Sequence, residues 1–183
     1  PLDVLPGFVS APLDSSVDIR ERQESCPAGY VCQMGIKAIC NAGLFCVGGN
    51  AYPCVNNVTF CPPQSVAPLI VRMGFYAIPV GNAVKKTGEQ KCAQGQYCRH
   101  GQQTQCPVGK FSDVNGSFSC QSVGKGHIII KDASGLGIGQ DACPMGTVEV
   151  NRTFCKACPL GMFNNAEGKD ECQPCKRGEF ANT

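Results

Sequence analysis

Tryptophan is absent, histidine occurs twice, and charged residues make up only 16% of the 183 positions, against roughly 25% in soluble domains. Each shortage removes a class of function. His100 and His127 have no second histidine at metal-ligand spacing, and neither H-E-x-x-H nor G-x-S-x-G occurs. Both read as structural residues, His100 beside a turn and His127 at a strand edge, and the chain reads as no enzyme. The longest apolar run, Val66–Val71, is interrupted by Pro68, far short of the roughly 20 residues of a membrane-spanning helix. Lys and Arg are scattered and the formal net charge is +2, so no basic stripe exists to neutralise phosphates. Neither membrane insertion by this segment nor nucleic-acid binding is expected. No amphipathic run predicts a helix.

What the sequence has instead is cysteine, 15 residues of it, with 22 Gly and 13 Pro. Val, Ile, Leu and Phe together make up about 22% of the chain, just above the ~20% below which chains stay disordered. Such a chain closes no large apolar core, and cross-links that restrict the unfolded state are the substitute. Cytosolic proteins rarely carry so many thiols unless they bind metal. Three N-x-S/T sequons, at Asn57, Asn115 and Asn151, lie in Cys-bounded loops. Together these features predict the secretory route, N-linked glycans, and an extracellular or cell-surface location. The chain opens at Pro1-Leu2-Asp3 without an initiator Met or a signal peptide, and reads as a processed or trimmed product.

Residues 1–25 form a Cys-free arm in which Pro1-Leu2-Asp3-Val4 returns as Pro12-Leu13-Asp14-Ser15. Its prolines predict extended or polyproline II backbone, lying along this chain or along a neighbour. Cysteine-rich repeats fill 26–61. Cys26-Pro27-Ala28-Gly29-Tyr30-Val31-Cys32 is echoed by Cys40-Asn41-Ala42-Gly43-Leu44-Phe45-Cys46 and by Cys92-Ala93-Gln94-Gly95-Gln96-Tyr97-Cys98. The glycine of this C-x-x-G-x-x-C unit suits the positive φ of a tight turn. Recurring fourteen-residue spacings, as from Cys26 to Cys40 to Cys54, signal a linear array.

A wider unit starts at Cys106-Pro107-Val108-Gly109, Cys143-Pro144-Met145-Gly146 and Cys158-Pro159-Leu160-Gly161, and closes at Cys120, Cys155 and Cys172. Repeats therefore fill 92–120 and 143–183. The last, begun at Cys175, is cut off at Thr183, so a longer protein was trimmed or another subunit completes it. Two Cys-free inserts interrupt the array. In 62–91, Leu69–Arg72 and Phe75–Ile78 around Met73-Gly74 predict a β-hairpin. In 121–142, His127–Lys131 predicts a strand before the Gly-rich loop Ser134–Gly139. The expected fold is small, disulfide-rich, mostly β and loop: an elongated array of cysteine-rich repeats with short β-hairpin inserts.

The pattern C-P-x-G-x-F, a Gly-containing loop, a closing Cys and C-x-x-C is clearest from Cys158 to Phe180 and visible from Cys92 to Cys120 and Cys26 to Cys61. It resembles the ephrin-receptor-like and tumour-necrosis-factor-receptor-like cysteine-rich repeats. Residues 62–91 also resemble the inter-repeat segment of repeat-rich surface proteins of protists. The resemblance implies an extracellular location and sequential disulfides: Cys26 with Cys32, Cys40 with Cys46, Cys54 with Cys61, Cys92 with Cys98, Cys106 with Cys120, Cys143 with Cys155, and Cys158 with Cys172. Cys175 is then unpaired or bonded between molecules. A crossed scheme, such as Cys26 with Cys40 and Cys32 with Cys46, also fits the spacing. The arm, the insert at 121–142 and the odd cysteine count depart from the family.

Metal is the rival reading. Cys155-x2-Cys158 and Cys172-x2-Cys175, with thirteen residues between them, come close to zinc-ribbon spacing. The cysteine ladder and the sequons, however, imply an oxidising compartment in which such thiolates are lost to disulfides. No metal or other cofactor is expected beyond N-linked glycans. Asp113 and Asn115, or Glu167, Asp170 and Glu171, lack the ligand series of an EF-hand and read as solvated turn residues.

Two function classes follow. The first is a structural glycoprotein that self-associates head to tail into a fibril, appendage or surface coat. In it Val4, Leu5, Phe8 and Val9, or Val17 and Ile19, add a strand's hydrogen bonds and apolar contacts to the next subunit, and a contact that does not close yields a filament. The second is a ligand-binding or adhesive ectodomain of a cell-surface receptor, with an exposed patch around Phe75, Tyr76 and Ile78. Those three residues read more simply as the core of a hairpin.

Overall fold

The computed structural model describes residues 4–11, 22–82 and 84–178, and the structural statements below concern those residues. Its building block is a four-residue turn with glycine in third place. Phe8, Tyr30, Leu44, Phe75, Gln96, Lys110, His127, Thr147 and Met162 each donate their N–H to the carbonyl three residues back, at 3.0–3.3 Å. The glycines just before them hold φ between +70° and +84°. That is the third place of a type II turn, which a side chain bearing Cβ fits poorly. A strand follows each turn at once.

The chain forms ten two-stranded hairpins, nine of which start in this way. In chain order they are β1 (Phe8–Ala11) with β2 (Arg22–Ser25), β3 (Tyr30–Gln33) with β4 (Ile36–Ile39), β5 (Leu44–Val47) with β6 (Asn50–Pro53), and β7 (Thr59–Phe60) with β8 (Leu69–Ile70). There follow β9 (Phe75–Ile78) with β10 (Gly88–Lys91), β11 (Gln96–Arg99) with β12 (Gln102–Gln105), and β13 (Lys110–Phe111) with β14 (Gln121–Ser122). The last three are β15 (His127–Lys131) with β16 (Gly137–Ala142), β17 (Thr147–Val150) with β18 (Phe154–Ala157), and β19 (Met162–Phe163) with β20 (Gln173–Pro174). The described residues contain no helix, and so none long and apolar enough to cross a membrane. The fold is small, disulfide-rich and mostly β.

The residue after the second strand closes the hairpin by donating its N–H to the turn glycine. Cys26 donates to Gly7, Cys40 to Gly29, Cys54 to Gly43, Cys106 to Gly95, Val123 to Gly109, Cys143 to Gly126, Cys158 to Gly146 and Cys175 to Gly161, at 2.8–3.2 Å. Except at Cys54, which is followed by Val55–Val58 before β7, the closing residue immediately precedes the next turn.

Two compact units are formed, Pro1–Gln90 with His100–Gln102, and Lys91–Arg99 with Gln103–Thr183. Inside each, one backbone step joins a hairpin to the next. In the first unit the residue three places after the turn glycine donates to the tip of the following hairpin: Ser10 to Gly35 (3.1 Å), Cys32 to Gly49 (3.1 Å), Cys46 to Ser65 (2.9 Å) and Ala77 to Gly101 (3.0 Å). In the second unit Cys98 donates to Ser117 (2.9 Å), Ser112 to Gly137 (3.0 Å) and Ile129 to Arg152 (2.9 Å). The tips come so close that only glycine fits at several of them. A Cβ on Gly35 would stand 2.5 Å from the Ser10 hydroxyl, and one on Gly101 would overlap the Asn57 carbonyl.

Little apolar material is enclosed. The buried set is dominated by cystine sulfur, with Val9, Ala11, Val71, Ala77, Phe111 and Val123. Disulfides here do the filling that branched aliphatics do in larger domains.

Two expectations are corrected. The stretch before Cys26 is not a plain extended arm: Phe8–Ala11 pairs with Arg22–Ser25 in register Phe8 to Ser25, and the Leu5-Pro6-Gly7-Phe8 turn supplies the same start as every other hairpin but β7–β8. Nor do Leu69–Arg72 and Phe75–Ile78 pair with each other. Leu69–Ile70 folds back on Thr59–Phe60, and Phe75–Ile78 pairs forward with Gly88–Lys91. The reason is that Met73-Gly74 is a hairpin-starting turn, not a hairpin loop. Arg72 ties it down: its N–H donates to Glu89 Oε2 at 2.8 Å, its guanidinium pairs with the same carboxylate, and it lies 4.2 Å from the centre of the Phe75 ring.

Candidate functional site

The residues singled out by the sequence are cysteines, sequons and the N-terminal segment. Seven disulfides occupy fourteen of the cysteines, each inside one hairpin. In Cys26–Cys32, Cys40–Cys46 and Cys92–Cys98 the partners stand three residues either side of the turn glycine, with Cα atoms 5.9 Å apart. Cys54–Cys61 closes a loop one residue longer, with Cα atoms 6.1 Å apart. In Cys106–Cys120, Cys143–Cys155 and Cys158–Cys172 the first cysteine keeps its place and the second lies across the hairpin, with Cα distances of 5.7, 5.5 and 5.8 Å.

Where cysteine is missing from the slot three places after the glycine, other chemistry fills it. Ser10 is buried and its hydroxyl donates to the Gly35 carbonyl at 3.1 Å. Ser112 is buried with its hydroxyl bonded to the Val114 carbonyl and the Ser117 hydroxyl. The Asn164 amide, also buried, donates to the Thr147 carbonyl at 2.7 Å. Burial without such partners would be costly. Three hairpins carry no cysteine at either slot: Val4 and Ser10 flank Gly7, Val71 and Ala77 flank Gly74, and Val123 and Ile129 flank Gly126. These are the segments read from sequence as arm and inserts.

The zinc-ribbon spacing is used otherwise. Cys155, Cys158 and Cys172 are bonded to sulfur, leaving Cys175 as the free thiol, half-buried. No group of three or more His, Cys, Asp or Glu able to hold a metal occurs among the described residues. Asp170 pairs with Lys125 at 3.2 Å, and that ammonium's hydrogen bond holds its carboxyl below the usual carboxylate range. His100 is exposed in a hairpin tip at φ 50°, and His127 Nδ1 lies 2.8 Å from the Lys125 carbonyl.

The three sequons occupy turns. Asn57 is half-buried before β7. Asn115 is exposed, and its Oδ1 accepts the Gln94 N–H at 3.1 Å; a glycan on Nδ2 leaves that acceptor in place. Asn151 and Arg152 form the exposed β17–β18 tip with φ of 50° and 59°, a pair of positive values typical of a type I′ turn, where Asn is favoured. Among the proposed subunit contacts, Leu5 is exposed, Val4 and Phe8 are half-buried, and Val9 is 1% exposed within its own hairpin stack. Val17 and Ile19 lie outside the described residues. Phe75, Tyr76 and Ile78 are half-buried around the buried Ala77 and form no exposed patch.

No family model and no curated protein matches this chain. The likeness of its C-P-x-G-x-F units to ephrin-receptor-like and tumour-necrosis-factor-receptor-like repeats therefore rests on those motifs alone.

Sequence reasoning missed Lys86. It is fully buried, and its ammonium donates to the carbonyls of Pro79 (2.8 Å) and Gly81 (2.6 Å). Its own N–H reaches Cys54 and its carbonyl takes the Cys61 N–H, at 2.7 and 2.9 Å. A cation thus organises the connection between β9 and β10. Nothing in the local pattern around Lys85-Lys86 marks it, because its burial depends on which segments fold over it.

Proposed function

We propose that the chain is a non-enzymatic, extracellular structural glycoprotein whose copies join end to end in a fibril, appendage or surface coat. The observation that supports this most directly is the repeated backbone step inside each unit. Hairpins such as β3–β4, β5–β6 and β13–β14 present both a donor at the slot after the turn and an acceptor at the tip, so the same step made between two copies extends the stack in one direction. Seven disulfides in a thin core suit an oxidising, extracellular setting. N-glycans on Asn57, Asn115 and Asn151 would restrict sideways association. Since Val9 is consumed within its own stack, the first hairpin meets a neighbour through Leu5 rather than by giving up its strand.

Negative-stain electron microscopy of the non-reduced protein at two concentrations tests this. Filaments that lengthen with concentration and disappear on deletion of residues 1–25, or on Leu5→Glu in a chain that keeps its seven bridges, are the expected result. Isolated particles in every sample would overturn it and leave the ectodomain reading.

A further inference from the structure

In the second unit three hairpin-starting glycines, Gly109, Gly146 and Gly161, have nothing within 4 Å of a Cβ position, and of these Gly109 alone lies between two closely stacked turns. A Cβ added to Gly95 would stand 2.7 Å from Leu136 Cβ, and one on Gly126 would overlap the Gly168 carbonyl, yet nothing lies within 4 Å of the Cβ position of Gly109 between them. The reason lies in the neighbouring hairpins. The Asn151-Arg152 tip is held against β15 by the Ile129 N–H, and the β15–β16 register shifts at Ile130 and Lys131, where Ile138 of β16 is passed over. A cleft of about 280 Å³ remains over the Pro107–Lys110 turn, just below the ~300–1,000 Å³ of ligand sites.

Its lining is one-sided in charge. Lys110, Lys131 and Arg152 come from three different hairpins, and no carboxylate lines the cleft. Among the described residues none of these cations has a salt bridge. The acids nearby are engaged elsewhere: Asp132 accepts the N–H groups of Ser134 and Leu136 at 2.9 Å, and Glu149 accepts the Arg152 backbone N–H at 2.8 Å. Ile129 and Leu136 add apolar wall, and Ser134 and Thr153 bring hydroxyls to the rim. A simple anion would satisfy the cations and leave the apolar wall bare. A sugar ring offers C–H faces to that wall, hydroxyls to the rim and, if it carries a carboxylate or sulfate, charge to the cations.

We propose that this cleft binds an acidic sugar unit, a uronate or sulfated residue of a polysaccharide. The site lies within one unit and does not depend on end-to-end assembly; Asn151 also lines it, so it takes a ligand in chains that carry no glycan on that residue, and the protein titrated is made without N-glycans. Isothermal titration calorimetry of the intact, disulfide-bonded protein would use a heparin-derived tetrasaccharide, a hyaluronan tetrasaccharide, maltotetraose and inorganic sulfate as probes. At least one acidic tetrasaccharide should bind in a 1:1 ratio and weaken with salt. Arg152→Glu and Lys131→Glu should each reduce that binding by about tenfold or more, while Lys156→Glu, outside the cleft, leaves it unchanged. Both substituted side chains are exposed, and retention of all seven bridges by intact mass verifies the fold. Equal binding of maltotetraose, displacement of the oligosaccharide by sulfate at a similar concentration, insensitivity to both charge reversals, or no binding of either acidic probe would each overturn the proposal.

Discussion

If the hairpin that starts at Gly74 is a true copy of its bridged neighbours, a disulfide can be placed in it from sequence position alone. Val71 and Ala77 stand three residues either side of Gly74 and are 8% and 3% exposed, the slots that cysteine fills around Gly29, Gly43 and Gly95 with a uniform Cα separation of 5.9 Å. The double substitution Val71→Cys, Ala77→Cys, made with Cys175→Ser to remove the free thiol, should oxidise spontaneously to an eighth bridge. Closing a loop of about seven residues restricts the unfolded chain by roughly 2.4 kcal/mol at 25 °C. Exchanging Val71 for the smaller cysteine removes about 1 kcal/mol of burial, so the net gain is about 1–2 kcal/mol. For a chain of this size that corresponds to about 3–6 °C in Tm. The bridge is read by intact mass after alkylation under native conditions, and the stability by comparing thermal melts with the Cys175→Ser parent. Alkylation of both new thiols while the native bridges stay intact would show that the Gly74 hairpin does not share the geometry of the others.

Two further substitutions separate other contributions. Gly43→Ala and Gly161→Ala both put a side chain at positive φ, at about 1–2 kcal/mol. Only the first also drives a Cβ to 2.7 Å from Lys85 Cβ, since nothing lies near Gly161. Gly43→Ala should therefore lose about 1–3 kcal/mol more than Gly161→Ala in denaturant unfolding, and equal losses would contradict the stacking of turns on neighbouring hairpins. Lys86→Met should destabilise by about 2–5 kcal/mol because the Pro79 and Gly81 carbonyls lose their donor. A loss no larger than that of the exposed Lys85→Met would show that the buried ammonium contributes nothing net.

Much of the architecture is legible at the level of single turns. C-x-x-G followed by a β-forming residue announces a tight turn and a strand, and the lack of helical periodicity is matched by a fold without helix among the described residues. Cysteine, the louder signal, drew attention away from the glycine. Leu5-Pro6-Gly7-Phe8, Arg72-Met73-Gly74-Phe75 and Gly124-Lys125-Gly126-His127 carry the same turn without a thiol, and reading by cysteine sorted them into an arm and two inserts. The steps between hairpins, such as Ser10 to Gly35, were not legible, because they join backbone groups that exist in every residue. The basic cleft escaped for a related reason. Lys110, Lys131 and Arg152 are far apart in sequence, and only the packing of three hairpins brings them to one opening.

Because each disulfide closes inside its own hairpin and none staples two neighbours, hairpins within a unit have no covalent link apart from the chain itself and are held to one another by backbone hydrogen bonds with a few polar side-chain contacts, such as Ser10 to Gly35, Asn164 to Thr147 and Lys125 to Asp170. Under tension such a chain yields by peeling, one hairpin at a time, and each release is short. The Cys106–Cys120 bridge spans a separation of 14 residues and keeps roughly 45–50 Å of extended chain from paying out. Most of the length gained in each event is therefore small and recoverable, and reducing the bridges would convert the same peptide into a much longer, softer tether.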